Sequence, residues 1–439
     1  MDTNNEDYIP KLGKCGLSNI GNTCYMNSIL QLLLHCRPLV LFLMKKKTLN
    51  NNQTIETADY EEYLYQSTTQ YLANIERKRR GLDNDDKVTI RKIDVEERLN
   101  EAIVVQLGRI VDLLITKGAS VIKPVSLKKS VDYKVDTFRG YSQHDAHEYL
   151  AKILDLIIEE TGAESKPELN NVPESVLLYS KEMEKFNNRI NICKEKIKNS
   201  VYIQEKKTMI EKIGEITKEK NEYNKLHKDI ISKYNGLKYM VDMYKKKYNP
   251  FIYQLQTILV HDIECTVCKN QSSNYEDTPI LQLYVFDTLD ESLNNFTKDE
   301  YIDKYKCSVC ETERTIIKNC KIWRTPSVLF IHLKRFEVLP NGKIRKNNQE
   351  IDIPLNLDLT PYCEQTMNTD NKTKRKYKLT GFSNHLGTMN GGHYTADCLC
   401  IVDNKTWYHF DDSRVQRNNN DCIDISNAYI LMYELEDDN

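Results

Sequence analysis

Between Pro173 and Pro250 the chain has no proline, and the intervening text, with runs such as KEMEKFNNRINICKEKIKNS, is densely charged. Met183, Phe186, Ile190, Cys193 and Ile197 step by three and four, as do Tyr223, Leu226, Ile230, Tyr234, Leu237, Val241 and Tyr244. That spacing predicts a coiled-coil-like helical insertion over residues 165–250, either a hairpin or one long projecting helix, with Gly214 or Gly236 marking a break. A solvated spacer is the plainer alternative. So narrow an apolar stripe suits pairing with another helix, a helical partner or self-association through residues 174–249, so the tract is expected to stand outside any catalytic core and to be dispensable for chemistry.

The tract separates two unlike halves. Before it, ILQLLLHC is an apolar run expected to form a buried helix ending near Pro38; Ile103, Leu107, Ile110 and Leu114 mark a second helix. Ala146, Tyr149, Leu150, Ile153, Leu154 and Ile157 mark a third. Residues 45–100 are weakly patterned and read as loops and short helices. After the tract, PILQLYVF, SVLFIHLKRF, KYKLTGFSNH, HYTADCLCIV, TWYHF and AYILMYEL read as strands. Helices first and strands later predict an α+β fold with a cleft between the halves.

Composition excludes several classes. A formal net charge of -2 gives no basic field for nucleic acid. Residues 29–44 are too short to span a bilayer and are interrupted by Arg37 and Pro38, so no membrane is expected. Thirteen cysteines without an apolar leader point to reduced thiols, in the cytoplasm or nucleus.

The chemistry concentrates at a few positions. Cys24 stands where the polar stretch GLSNIGNT becomes an apolar helix, and a helix start favours thiolate over thiol. A thiol needs a base and the base an orienter. His393 follows Gly391 and Gly392, which allow a ligand backbone close approach, and a strand turning near Asn404 returns Asp411 and Asp412 towards it. Cys24, His393 and one of these carboxylates have the logic of a triad. Taken singly, each is more often a structural cysteine or turn histidine. A second constellation, ECTVCKN with YKCSVCET, offers Cys265, Cys268, Cys307 and Cys310, enough to close a tetrahedral zinc site with two strands and a loop between the pairs. Coincidental core cysteines are the alternative; a closed four-sulfur site is structural, and no catalytic cofactor is expected.

Several blocks together resemble the ubiquitin-specific proteases. GLSNIGNTCYMNSILQLL is similar to that family's cysteine box, GYSQHDAHEYLAKILD to its glutamine-aspartate box, and GGHYTADC with WYHFDDSRV to its histidine box; IWRTPSVLFIHLKRF resembles the segment entering the palm. The resemblance spans residues 12–435 and implies a papain-like cysteine protease with a thumb (12–162), fingers (251–330) and a palm (331–435). It also implies a deubiquitinase acting on ubiquitin and ubiquitinated proteins by hydrolysis after ubiquitin's C-terminal glycine. The rivals are the same chemistry on a ubiquitin-like modifier, and a non-catalytic ubiquitin-binding scaffold. By position, Cys24 becomes the nucleophile, His393 the base, Asp411 its orienter and Asn19 the oxyanion amide, with Asp412 auxiliary. The resemblance places structural zinc on the four cysteines, and substrate contacts at Asp145, Glu148, Gly391, Gly392 and Tyr394. Residues Ser142 to Asp145 also read as a capping box, in which Asp145 serves only the helix end.

Overall fold

The computed structural model describes residues 14–44, 102–117, 119–162, 172–245, 248–339, 341–364, 375–388, 391–418 and 423–436, with isolated positions between 73 and 89. The expectation for residues 45–100 lies almost wholly outside these.

The apolar run after Cys24 forms α1 (Cys24–His35), in which every residue is buried. A helix apolar all round belongs inside a core. It ends before the expected point: Pro38 opens the next helix, α2 (Arg37–Leu43), rather than closing the first. Proline suits a first helical turn, where its missing N–H has no partner to lose. No single described helix is long and apolar enough to cross a membrane; α1 and α2 together pass only as a pair bent by 82°. Helix α3 (Ile103–Lys117) follows the predicted periodicity, and the Glu160 carboxylate accepts from the amides of Ile103 and Val104 at 2.9 and 3.0 Å. Helix α4 (Ala146–Thr161) buries all six of the predicted apolar positions.

The proline-free tract is three helices: α5 (Glu174–Asn199), α6 (Ile203–Leu226) and α7 (Lys228–Tyr244). Helices α5 and α6 pair as the expected hairpin, with Arg189 bridging to Glu219 at 2.8 Å. The breaks fall at Ser200–Tyr202 and His227; Gly214 and Gly236 lie inside helices, correcting the expected break points. Gly236 is a packing position instead. A Cβ there would come within 2.0 Å of the Trp323 indole, whereas one at Gly214 would meet nothing within 4 Å.

The β half contains two main sheets. Strands β1 (Thr257–Cys265), β2 (Gln271–Thr278), β3 (Ile280–Tyr284), β4 (Glu300–Lys306), β5 (Glu313–Arg324) and β6 (Val328–Lys334) come first. They are followed by β7 (Asn356–Asp358), β8 (Lys376–Thr388), β9 (Gly391–Leu399), β10 (Trp407–Asp411), β11 (Arg414–Arg417) and β12 (Ala428–Leu435). One sheet has the order β2-β1-β5-β4; the larger runs β11-β10-β9-β8-β12-β6-β3, with β7 also paired to β8. All six predicted strands are present in the larger sheet. Its alternating side chains serve two cores: Phe330, Ala396, Ile430 and Met432 pack with α1 and α4, while Leu329, Ile331, Leu431 and Tyr433 join the opposite cluster. The sheet is covered on both faces, so its central strands read as continuous apolar runs.

Two further sets of contacts brace the two sheets. Arg335, 1% exposed, donates to the carbonyls of Ala428, Gln349, Ser426 and Asn347 at 2.7 to 3.3 Å. Helix α7 lies on the smaller sheet, packing Met240 and Tyr244 with Ile258, Val260 and Trp323; Tyr239 donates to Asp277 at 2.5 Å. The last helix of the tract is thus part of the second sheet's core, separate from the apolar cluster that contains Cys24, and the hairpin alone projects.

These contacts set opposite outcomes for two glycines. Gly236→Ala forces a methyl into a filled interface and is expected to cost about 1–3 kcal/mol. Gly214→Ala, in open space, is expected to add up to about 1 kcal/mol through helix propensity. Denaturant unfolding of the two variants measures both.

Candidate active site

Cys24 is the first residue of α1 and is 3% exposed. The loop before it is shaped by its own side chains. Asn19 Oδ1 accepts from the amides of Gly21 and Thr23, each at 3.1 Å, and Thr23 Oγ1 accepts from Ile20 N at 3.1 Å. Gly21 has φ of 121° and lies against the Tyr141 ring, leaving no room for a Cβ. Asn22 Nδ2 donates to Tyr141 O at 2.8 Å, fastening this loop to the segment before α4.

The larger sheet brings the remaining groups. His393, on β9, pairs in register with Leu386 of β8; Asp411 ends β10. His393 Nε2 lies 2.7 Å from Asp411 Oδ1, leaving Nδ1 as the ring atom for the Cys24 thiol. The hydrogen bond with Cys24 is the largest influence on the imidazole and raises its pKa. Burial opposes that rise, Asp411 reinforces it, and the pKa lies at about 9 against an ordinary 6.5.

Asp412 faces the same loop. Its carboxylate accepts from Asn19 Nδ2 at 2.9 Å and Asn27 Nδ2 at 2.7 Å, and its carbonyl accepts from Leu17 N at 2.8 Å. Asp412 adopts φ of 49°, a left-handed conformation tolerated by aspartate. Adjacent strand residues ordinarily point to opposite faces; this twist lets neighbouring carboxylates serve the histidine and the cysteine loop.

Asp145 is the N-cap of α4. Its Oδ1 accepts from His147 N at 2.8 Å and Glu148 N at 3.1 Å. The cap is Asp145 itself and not Ser142, which corrects the expected capping box. Asp145 Oδ2 accepts from Tyr429 Oη at 2.6 Å and Tyr394 Oη at 3.5 Å, so the cap is also tied to the sheet. Glu148, on the first turn, is exposed; partial burial and the Asp145 charge push its carboxyl up. Gly392 exchanges two hydrogen bonds with the Gln143 side chain across the cleft, at 2.9 and 3.2 Å. Gly391, beside it, is exposed. Sequence reasoning missed Gln143, Asn27 and Tyr429. Only Gln143 and Asn27 lay inside recognised blocks, and their roles depend on strands remote in the chain.

At the far end of the smaller sheet the four CxxC cysteines converge, with all sulfurs within 4.8 Å of one another. Cys265 Sγ is 4.0 Å from Cys310 Sγ, and Cys268 Sγ is 3.6 Å from Cys307 Sγ. A tetrahedron with metal–sulfur bonds of about 2.3 Å has edges of roughly 3.8 Å, so this donor set fits a metal ion. Backbone amides of Cys310 and Val309 aimed at Cys307 hold its thiol down to about 6. The chain between the pairs is longer than two strands and a loop: it contains β2, β3, a helix over Leu289–Thr297 and β4.

A helix-start thiol, an imidazole on a sheet and a carboxylate behind it define a papain-like thiol hydrolase arrangement. The family model described as ubiquitin carboxyl-terminal hydrolase matches residues 15–433. The chain belongs to that family. A probable ubiquitin carboxyl-terminal hydrolase of Acanthamoeba polyphaga mimivirus is 29% identical over 445 residues, covering 96% of this chain and 90% of the relative. Ubiquitin carboxyl-terminal hydrolase 2 of Homo sapiens is 25% identical; the match covers 96% of this chain but only 55% of the human protein. Among solved structures, a SAGA DUB module bound to monoubiquitin has a chain matching with a TM-score of 0.59 at 22% identity. That match covers 98% of this chain and 71% of the other. The ubiquitin-specific protease fold is thereby established.

The raised His393 pKa generates a titration test. Since the charged imidazolium is the favoured form, its interactions are fully present below about pH 6.5 and are lost as pH rises through about 9. Cys24→Ala is expected to lower the imidazole midpoint most and Asp411→Asn by less. NMR titration of the ring protons measures both shifts.

Proposed function

We propose that the chain is a thiol-dependent deubiquitinase, hydrolysing the peptide or isopeptide bond after the C-terminal glycine of ubiquitin. The observation that carries this reading is the His393–Asp411 contact of 2.7 Å beside a helix-start Cys24, in a chain whose relatives are named for that activity.

In this reading Cys24 attacks the carbonyl as thiolate and His393 carries the proton to the leaving amine. Asp411 holds the imidazole in orientation and stabilises its charged form. The Asn19 amide donates to the tetrahedral oxyanion, where one such donor is worth about 3–4 kcal/mol of transition-state stabilisation. Its Oδ1 contacts and Asp412 hold it in place, which makes Asp412 auxiliary. Glu148 offers a carboxylate to a basic substrate tail, and Gly391, Gly392 and Tyr394 line its approach; Asp145 acts chiefly by holding that wall together.

The four cysteines hold structural zinc, which fixes the end of the smaller sheet and leaves no coordination position for substrate. Residues 12–162 act as thumb, 251–330 as fingers and 331–435 as palm, with 165–250 inserted between thumb and fingers. The smaller sheet supports the finger assignment, while β3 runs inside that range to the palm's edge. The insertion is open to helical partners along α5 and α6. The described cysteines all lie outside disulfides, which supports a reducing intracellular compartment.

Cys24→Ala is expected to abolish cleavage of a ubiquitin C-terminal amide while ubiquitin binding survives. Labelling of the unmodified chain by a ubiquitin probe with a C-terminal electrophile gives the positive arm. Labelling only by a ubiquitin-like probe would move the substrate assignment, and no labelling by either would leave a scaffold. Asp411→Asn is expected to lose more turnover than Asp412→Asn, the reverse order exchanging their roles.

Elemental analysis of the purified chain is expected to give one zinc per molecule. Cys265→Ser is expected to lower the unfolding midpoint more than it alters turnover per folded molecule, because metal binding in such sites contributes to folding itself.

A further inference from the structure

The turn joining α5 to α6 carries three consecutive apolar side chains with almost no protein around them. Val201 is 84% exposed, Tyr202 66% and Ile203 85%. We propose that this turn is a peripheral membrane-docking tip, which inserts between the headgroups of an anionic bilayer surface.

The hairpin does not need these residues for its own pairing. It is held by Met183, Cys193 and Ile216 on its inner face, by Arg189 with Glu219, and at its root by Tyr179 donating to Asn224 at 2.7 Å. Helices of 26 and 24 residues carry the turn roughly 33 Å from that root. The root continues into α7, which is braced on Trp323. A long, supported arm ends in the part of it least suited to water.

The charge around the tip identifies the surface that covers it. Lys194, Lys196, Lys198, Lys206 and Lys207 flank the turn against Glu195 and Glu205, a local excess of three positive charges in a chain whose total is -2. Glu205 is further occupied in accepting from Ser200 Oγ at 2.6 Å. The chain-wide balance, which gave no basic field, averages this cluster away, and the expectation of no membrane rested on the lack of a spanning segment alone. An apolar tip flanked by exposed lysines matches the chemistry of an interface with acidic lipid headgroups above acyl chains, and tyrosine is favoured at that depth. Three side chains on a convex turn offer far less than the roughly 1,000 Å² that a stable protein interface buries. A bilayer requires only shallow insertion, and the lysines lie within a Debye length of it.

Flotation of the full chain with phosphatidylcholine vesicles, with and without phosphatidylserine, tests this. Binding is expected to the phosphatidylserine vesicles alone and to weaken as salt rises. V201D/Y202D/I203D is expected to reduce it at least about tenfold with ubiquitin-reporter cleavage unchanged. Ile203→Trp, which preserves the apolar tip, is expected to add a blue-shifted emission component on the same vesicles. Equal flotation of the triple variant, no flotation of the unmodified chain, or tip-dependent capture by an acidic protein without vesicle binding would each overturn the proposal.

Discussion

The Asp412 carboxylate receives two amides from the other end of the chain, Asn19 at 2.9 Å and Asn27 at 2.7 Å. That joint ties the two ends of the site together. It places the loop ahead of Cys24, holds the first turns of α1 against β10, and leaves the adjoining Asp411 free for His393. Its left-handed φ is the local cost of having consecutive residues face one cleft, a strain of about 1–3 kcal/mol that surrounding contacts must offset.

The sequence was most readable where one residue type serves one purpose. The helix carrying Cys24, the strands carrying His393 and Asp411, and the two CxxC pairs followed from periodicity, thiol chemistry and block resemblance. Legibility failed where a residue's task depends on a remote partner. Gly236 looked like a break because glycine disfavours helix interiors, yet Trp323, far along the chain, requires the absence of a side chain there. Asp145 illustrates the same limit in a milder form. Its capping role is local, but its second oxygen is held by Tyr429, on the last described strand.

Buried polar groups organise the palm as much as its apolar cores do. Arg335 is buried among carbonyls from two separate loops, and burial lowers its pKa, so its hydrogen bonds are what keep the cation there. Asp397, on β9, does comparable work, accepting from Asn384, His409 and Asn418. Asp397 thereby links β8, β9 and β10, the strands on which the imidazole meets its carboxylate.

The joint between Asn19 and Asp412 closes a separation of 393 positions. Loop closure over such a length is slow to be rewarded, since its entropy must be met before the contacts it permits. In the proposed reading, a thiol, an imidazole and a carboxylate so far apart in the chain become a hydrolytic site only once β9 and β10 have packed against α1. Competence then arrives with the tertiary fold as a whole, and a partly folded chain carries the same side chains without the chemistry.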